Sequence, residues 1–239
     1  MKSPVSLTSL APVSRNGHTM APAAPNTSLV MLAEPRSPAA EAYRGLAANI
    51  QFNNTDGQLN VLGITSAAAG EGKTTTVANL AVALAESGRQ VIAIDADLRR
   101  PGLHTLFGVN LDDGLSSVLL GDVTTLPLQD TAAPGVRVLT SGRPLANAME
   151  ALGSLRLEHV LALARAQADF VLVDTAPAAA LADAALIAPR LGGMLLVVCA
   201  GKTKREVARR ARERLERVNA RLIGVVLTDV RGDEQLYQY

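Results

Sequence analysis

Tryptophan is absent from this chain, and three phenylalanines and three tyrosines leave aromatic residues at only 3 % of it. A core without large rings must be filled by aliphatic side chains. With 48 % hydrophobic residues, Ala, Val and Leu prominent among them, the 239-residue chain has enough of these for one sizeable core. The single cysteine, Cys199, excludes an intramolecular disulfide and fits a reducing compartment. It ends an apolar run and reads as a buried structural thiol rather than a nucleophile. The three histidines, His18, His104 and His159, lie too far apart for metal-ligand spacing. The longest apolar runs, such as Met194–Ala200, fall short of the ~18 residues that a spanning helix needs. The N-terminal stretch carries no secretory-type apolar segment, so a soluble, cytoplasmic protein is expected. A formal net charge of +1 argues against a chain-wide polycation for nucleic acid, and a nucleic-acid partner is not expected.

Residues 1–35 are rich in Pro, Ser, Ala and Asn without helical or strand periodicity. This arm is expected to stay disordered, because it buries too little surface to offset the entropy of ordering. At Ser37-Pro38-Ala39-Ala40-Glu41 the pattern changes to a helix start, with Ser37 as N-cap, Pro38 at the first helical position and Glu41 in the first turn. That helix is expected to carry Ala42, Leu46, Asn49 and Ile50 inward, towards Phe52. Apolar runs follow at Val61–Thr65, Val91–Ile94, Val136–Leu139, Phe170–Val173, Met194–Val198 and Leu222–Leu227. Helix-like stretches at Thr74–Glu86, Leu155–Ala166, Ala179–Ala188 and Arg205–Val218 lie between several of them. The strands are apolar on both faces, as in a parallel sheet covered by helices on each side. The reading is an α/β fold of the P-loop NTPase class: a mainly parallel, doubly wound sheet flanked by helices, occupying residues 36–230. Residues 231–239 form a flexible tail with Tyr237 and Tyr239.

After the first strand comes Ser66-Ala67-Ala68-Ala69-Gly70-Glu71-Gly72-Lys73-Thr74-Thr75, which holds the GK[ST] core of a Walker A loop between a strand and a helix. Gly70 and Gly72 let the backbone from Ala69 to Thr75 turn its N–H groups around phosphate oxygens, at a helix N-terminus that favours anions. Lys73 is placed to reach the outer phosphates of ATP, and the Thr74 hydroxyl to ligate Mg²⁺. Two further strands end in acids. Val91-Ile92-Ala93-Ile94 runs into Asp95-Ala96-Asp97-Leu98-Arg99, and Phe170-Val171-Leu172-Val173 into Asp174-Thr175-Ala176-Pro177. Ligands of open α/β sheets bind at strand C-termini. There, Asp95, Asp97 and Asp174 are candidates to hold Mg²⁺ with Thr74, and Asp95 and Asp97 to accept a proton.

The three motifs together resemble the deviant Walker ATPases, and among them the bacterial tyrosine kinases of capsule and exopolysaccharide loci. Asp95–Arg99 looks like that family's DxDxR motif, and Asp174–Pro177 like its DxxP motif. Ser37–Arg44, Gly114–Gly121 and Glu150–Ser154 match as well, so the likeness spans roughly residues 37–230. Ala68 stands where partitioning and septum-positioning ATPases carry an extra lysine, which favours the kinase branch. The resemblance implies an ATP-dependent protein-tyrosine autokinase, with Lys73, Asp95 and Asp97 catalytic and Tyr237 and Tyr239 as acceptors phosphorylated in trans. It also implies a homo-oligomer, protein tyrosine substrates, and a membrane adaptor of the polysaccharide co-polymerase type that recruits the chain to the inner face of the membrane. Three positions depart from the pattern: Ala47 replaces the second Arg of the ExxRxxR oligomerisation motif, the tail holds two tyrosines, and Thr228 replaces an Asn near the adenine.

Two alternatives remain open at this level. One is an ATPase switch of the partitioning type, with the basic stretch Lys202–Arg221 lying on DNA. Against it, that stretch reads as a solvated helix with Arg209–Glu213 and Glu213–Arg217 pairs. The other is an ATP-binding regulatory subunit of an export complex that phosphorylates little.

Overall fold

The computed structural model describes residues 28–230, apart from Asp56 and Leu181. Strands β1 (Val61–Ser66), β2 (Val91–Asp95), β3 (Gln129–Asp130), β4 (Val136–Leu139), β5 (Phe170–Asp174), β6 (Gly193–Cys199) and β7 (Leu222–Thr228) form one sheet in the order β3-β4-β2-β5-β1-β6-β7. Only β3 runs antiparallel to its neighbour. One face is covered by α1 (Val30–Ala33), α2 (Pro38–Asn53), α3 (Lys73–Glu86) and α4 (Leu103–Phe107). The other carries α5 (Leu115–Leu120), α6 (Ala148–Gly153), α7 (Leu155–Arg165), α8 (Asp183–Ile187) and α9 (Arg205–Arg217).

Strand periodicity divides the core in two. Ile92, Ile94, Val171 and Val173 turn to the α7 side with Leu152 and Leu161, while Leu62, Ile64, Ala93 and Leu172 turn to α3 with Leu80 and Leu84. Both faces of β1, β2 and β5 are fully buried, which is why these strands read as unbroken apolar runs. Gly63 in β1 is fixed by packing: a Cβ there would run into the Met194 sulfur and Leu191.

The Ser37 cap is as expected, its hydroxyl accepting from the Ala40 amide at 3.2 Å, with Pro38 opening α2. The inward stripe differs. Ala40, Ala47 and Ile50 are buried and Tyr43 and Leu46 partly so, whereas Ala42 and Asn49 are exposed and Phe52 is 83 % exposed. The helix turns its Ala-lined side to α3, because only small side chains let the two helices approach closely. The expected helix at Ala179–Ala188 shortens to α8, and a 3₁₀ turn with Pro189 follows, since proline supplies no amide to continue the helix.

The boundary of the arm also moves. Leu29 and Met31 are 2 % and 1 % exposed, so the ordered body takes in α1 rather than starting after residue 35. What holds α1 is the wholly buried Asn79 of α3. Its Oδ1 accepts from the Met31 amide at 3.0 Å, and its Nδ2 donates to the Ser28 and Thr75 carbonyls at 2.9 Å each. Asn79→Ala strands buried backbone groups, so a loss of about 1–3 kcal/mol in denaturant unfolding is expected, with faster amide exchange through Leu29–Ala33. Unchanged exchange there would mean that apolar packing alone holds α1.

Candidate nucleotide site

The strand order places β1 between β5 and β6, and β2 beyond β5, so the loops after β1, β2 and β5 open side by side. Asp95 lies in register opposite Asp174, and Ile64 of β1 opposite Asp174 as well. The loop after β1 turns through Gly70 (φ 75°) and Gly72 (φ 88°), a left-handed backbone that favours glycine, and delivers Lys73 at the first position of α3. Ala69 and Gly70 are exposed at the loop tip, and Thr74 and Thr75 are half-buried.

Lys73 is the centre of the site. Its Nζ lies 2.9 Å from Asp97 Oδ2, 3.1 Å from Asp174 Oδ1 and 3.1 Å from Thr74 Oγ1, all three buried or partly so. Burial alone would lower the lysine's pKa, but the charges of Asp174 and Asp97 outweigh it and hold the ammonium above its ordinary value. Asp97 also accepts from the Arg100 amide at 3.0 Å. Asp95 is wholly buried, and its Oδ2 accepts from the Gly102 and Leu103 amides at 2.9 and 3.0 Å, so it anchors the start of α4. Burial, with the Asp174 charge added, pushes Asp95 up to about 7. Burial likewise raises Asp174, against the pull of Lys73.

One ammonium therefore faces three buried carboxylates. Among the described residues Asp174 Oδ2 finds no hydrogen-bond partner, although it is sealed from solvent. Both facts fit a divalent cation at this point, drawing on Thr74, Asp97 and Asp174. Among the described residues no three His, Cys, Asp or Glu side chains converge as a ready-made metal cage. A cation here would complete its shell with water and nucleotide oxygens, the habit of Mg²⁺.

The loop's own support lies outside the motif. Glu71 is buried, and among the described residues no cation pairs with it. One carboxylate oxygen accepts from the Ala68 amide at 2.7 Å, and the other takes the hydroxyl of Thr203, in the β6–α9 connection. Thr203 in turn accepts from the Cys199 amide at 2.9 Å. Thr228, at the end of β7, donates to the Glu71 carbonyl at 2.7 Å, and its methyl lies against Gly72. The residue expected near an adenine is thus committed to the loop. Sequence reasoning missed Thr203; a threonine four residues past a strand end gives no signal by itself. It also missed Asp183, buried on α8, which pairs with Arg99 at 2.7 Å. Arg99 lines an open cleft of about 620 Å³ with Asn147, Met149, Glu150 and Leu186. Cys199 is buried, as expected of a structural thiol. Tyr43 packs against the core, where burial raises its pKa. Tyr237 and Tyr239 lie outside the described residues.

Fold and site together define a P-loop nucleotide-binding protein, and residues 62–239 match the CobQ/CobB/MinD/ParA nucleotide binding domain. Tyrosine-protein kinase YwqD of Bacillus subtilis (strain 168) is 39 % identical over 201 residues, which cover 84 % of this chain and 85 % of that protein. The kinase domain of the Escherichia coli tyrosine kinase ETK matches with a TM-score of 0.82 at 32 % identity, over 90 % of this chain and 83 % of that one. The Pyrococcus horikoshii OT3 septum site-determining protein MinD, complexed with Mg-ADP, matches with a TM-score of 0.62 at 26 % identity, over 75 % and 76 % of the two chains. The chain belongs to the bacterial tyrosine kinases.

Thr203→Val removes the hydroxyl on the buried Glu71 carboxylate and is expected to cost about 1–3 kcal/mol of stability, while Thr203→Ser restores it. Equal urea midpoints for the Val and Ser variants would refute the role of this hydroxyl. A pH dependence follows from Asp95. Its folded pKa of about 7 exceeds the ordinary 3.8, so between these values the folded chain holds a proton that the unfolded chain releases. Without metal or nucleotide, this group makes stability fall as pH rises through that window and level off above it. Asp95→Asn should remove that component of the slope from the urea midpoints; a slope identical to wild type would show that Asp95 titrates normally.

Proposed function

We propose that the chain binds ATP with Mg²⁺ at this site and transfers the γ-phosphoryl group to protein tyrosine, acting in capsule or exopolysaccharide production. The observation that carries this reading is Lys73 held between Asp97 and Asp174 at the head of α3, with an unpartnered buried carboxylate oxygen beside it. Loop amides from Ala69 to Thr75 would surround the phosphates. Lys73 would leave its carboxylates for the outer phosphates, and Thr74, Asp97 and Asp174 would hold the cation. Mg²⁺, when bound, supplies neutralisation of the phosphate charge.

In the transfer, the tyrosine oxygen forms a bond to the γ-phosphorus, the bond to the β–γ bridging oxygen breaks, and ADP leaves. The phenolic proton goes to a carboxylate. Asp95, raised to about 7, has the affinity for that proton at working pH, and Asp97 sits two residues on along the same strand end. The cleft beside Arg99 offers room for the acceptor segment. We assign Tyr237 and Tyr239 of a second copy as acceptors, within a homo-oligomer. No helix among the described residues is long and apolar enough to cross a membrane. That supports a cytoplasmic chain brought to the membrane's inner face by an adaptor of the polysaccharide co-polymerase type.

The test is incubation with ATP and Mg²⁺, with and without the adaptor's cytoplasmic tail, read by phosphosite mass spectrometry. Phosphate on Tyr237 or Tyr239 is expected in the wild type and absent from Lys73→Met. ATP binding without phosphotyrosine, adaptor present, would instead support a regulatory subunit or an ATPase switch.

A further inference from the structure

Nine of the chain's 23 lysines and arginines fall between Lys202 and Arg221 against three glutamates, a local excess of six positive charges in a chain of net charge +1. The structure sorts them. Ala211 and Leu215 seat α9 on the sheet, and Arg214 turns one flank of the helix to the loop after β5, donating to the Ala178 carbonyl at 3.4 Å. Helical spacing puts Arg205, Arg209 and Arg212 on the opposite flank, towards the edge strand β7, and all three are exposed. The pairing differs from the expected ladder. Arg209 reaches Glu213 at 3.8 Å and Arg212 binds Glu216 at 2.6 Å, and no Glu213–Arg217 pair forms. Among the described residues, Lys202, Lys204, Arg205, Arg210 and Arg217 have no ion-pair partner.

Beside this flank the sheet ends in apolar side chains. In β7, Val226 packs towards α3, so Val225 and Leu227 face the α9 side, yet they remain 56 % and 61 % exposed. Val230 follows, also exposed. A helix flank of exposed arginines, preceded by Lys202 and Lys204, thus borders a short aliphatic strip on a sheet edge that no described strand pairs.

We propose that this face binds the surface of an anionic lipid bilayer, with the basic side chains on headgroup phosphates and Val225 and Leu227 against the upper acyl region. Polybasic surfaces are drawn to anionic leaflets, and arginine stems reach past apolar contacts to the headgroups. Nucleic acid would satisfy the cations but leaves the aliphatic strip unused, and among the described residues the patch holds no aromatic ring for base stacking. Glu213, Glu216 and Asp229 balance Arg205, Arg209 and Arg212, so the surplus charge at this end of the face comes from Lys202 and Lys204, both exposed in the turn that leads into α9. This contact is the chain's own and does not rest on the kinase reading or on an adaptor.

The full chain is tested by co-sedimentation with vesicles of phosphatidylcholine containing about one third phosphatidylglycerol, with pure phosphatidylcholine as control. The expected result is sedimentation with the anionic vesicles only, falling steeply with salt. The triple variant Arg205→Gln/Arg209→Gln/Arg212→Gln should weaken it about tenfold or more. Val225→Thr/Leu227→Thr, which keeps strand propensity, should lower the binding that survives at high salt. Unchanged melting curves confirm that both variants fold. No sedimentation of the wild type at low salt overturns the proposal. So does equal binding by the arginine variant, or a shift of its mass in light scattering, which would make the face a contact between copies.

Discussion

The site is built around a charge imbalance. Among the described residues Lys73 is the one cation paired with Asp97 and Asp174, and Asp95 lies opposite Asp174 in the sheet register, so three carboxylates share one ammonium in a solvent-poor pocket. Leaving Lys73 out would expose Asp97 and Asp174 to each other with nothing between them, an arrangement that burial makes far more costly than it would be in water. The ammonium therefore ties the head of α3 to the ends of β2 and β5. The same imbalance leaves negative charge to be met by a ligand, and the raised pKa of Asp95 and the orphaned oxygen of Asp174 are its two local signs.

The loop that carries Lys73 is held from the far side of the sheet. Glu71 reaches across β1 to Thr203 after β6, and its carbonyl is gripped by Thr228 at the end of β7. The ends of β2 and β5 on one side of β1, and of β6 and β7 on the other, thereby converge through polar side chains on the six-residue loop 67–72 and the Lys73 that follows it. Such a loop has little left to reorganise when phosphate arrives, which is the condition under which backbone amides bind anions strongly.

The parts of this arrangement that were legible in the sequence are those with local causes. β1, β2 and β5 announce themselves as apolar runs because both their faces are buried, and the Ser37 cap sits beside the amide it binds. The acids at the strand ends were legible for the same reason, since each ends such a run. What was not legible depends on partners far along the chain. Asn79 looks like any polar residue in a helix until Met31, 48 positions earlier, is placed beside it. Asp183 reads as a first-turn acid until Arg99, 84 positions away, closes on it. The stripe of α2 was misjudged because spacing alone does not say which side α3 will occupy, and Ala40 and Ala47 were preferred there for their size.

Position 47 carries a consequence for assembly. Ala47 is buried between α2 and the core, and Arg44, three residues earlier, is already engaged by Glu41 at 2.6 Å and Glu86 at 2.8 Å within the same chain. The first two members of the ExxRxxR pattern thus brace α2 on α3, and the third is core. An arginine at this point would have to carry a long charged side chain out of a buried position, which is strongly unfavourable unless a neighbouring chain or solvent receives it. Alanine removes that demand. Any self-association of this chain must accordingly draw on surfaces other than a second arginine on α2. Exposed surfaces open to such contact include the cleft beside Arg99 and the outer face of α2, where Phe52 stands almost free of its own chain.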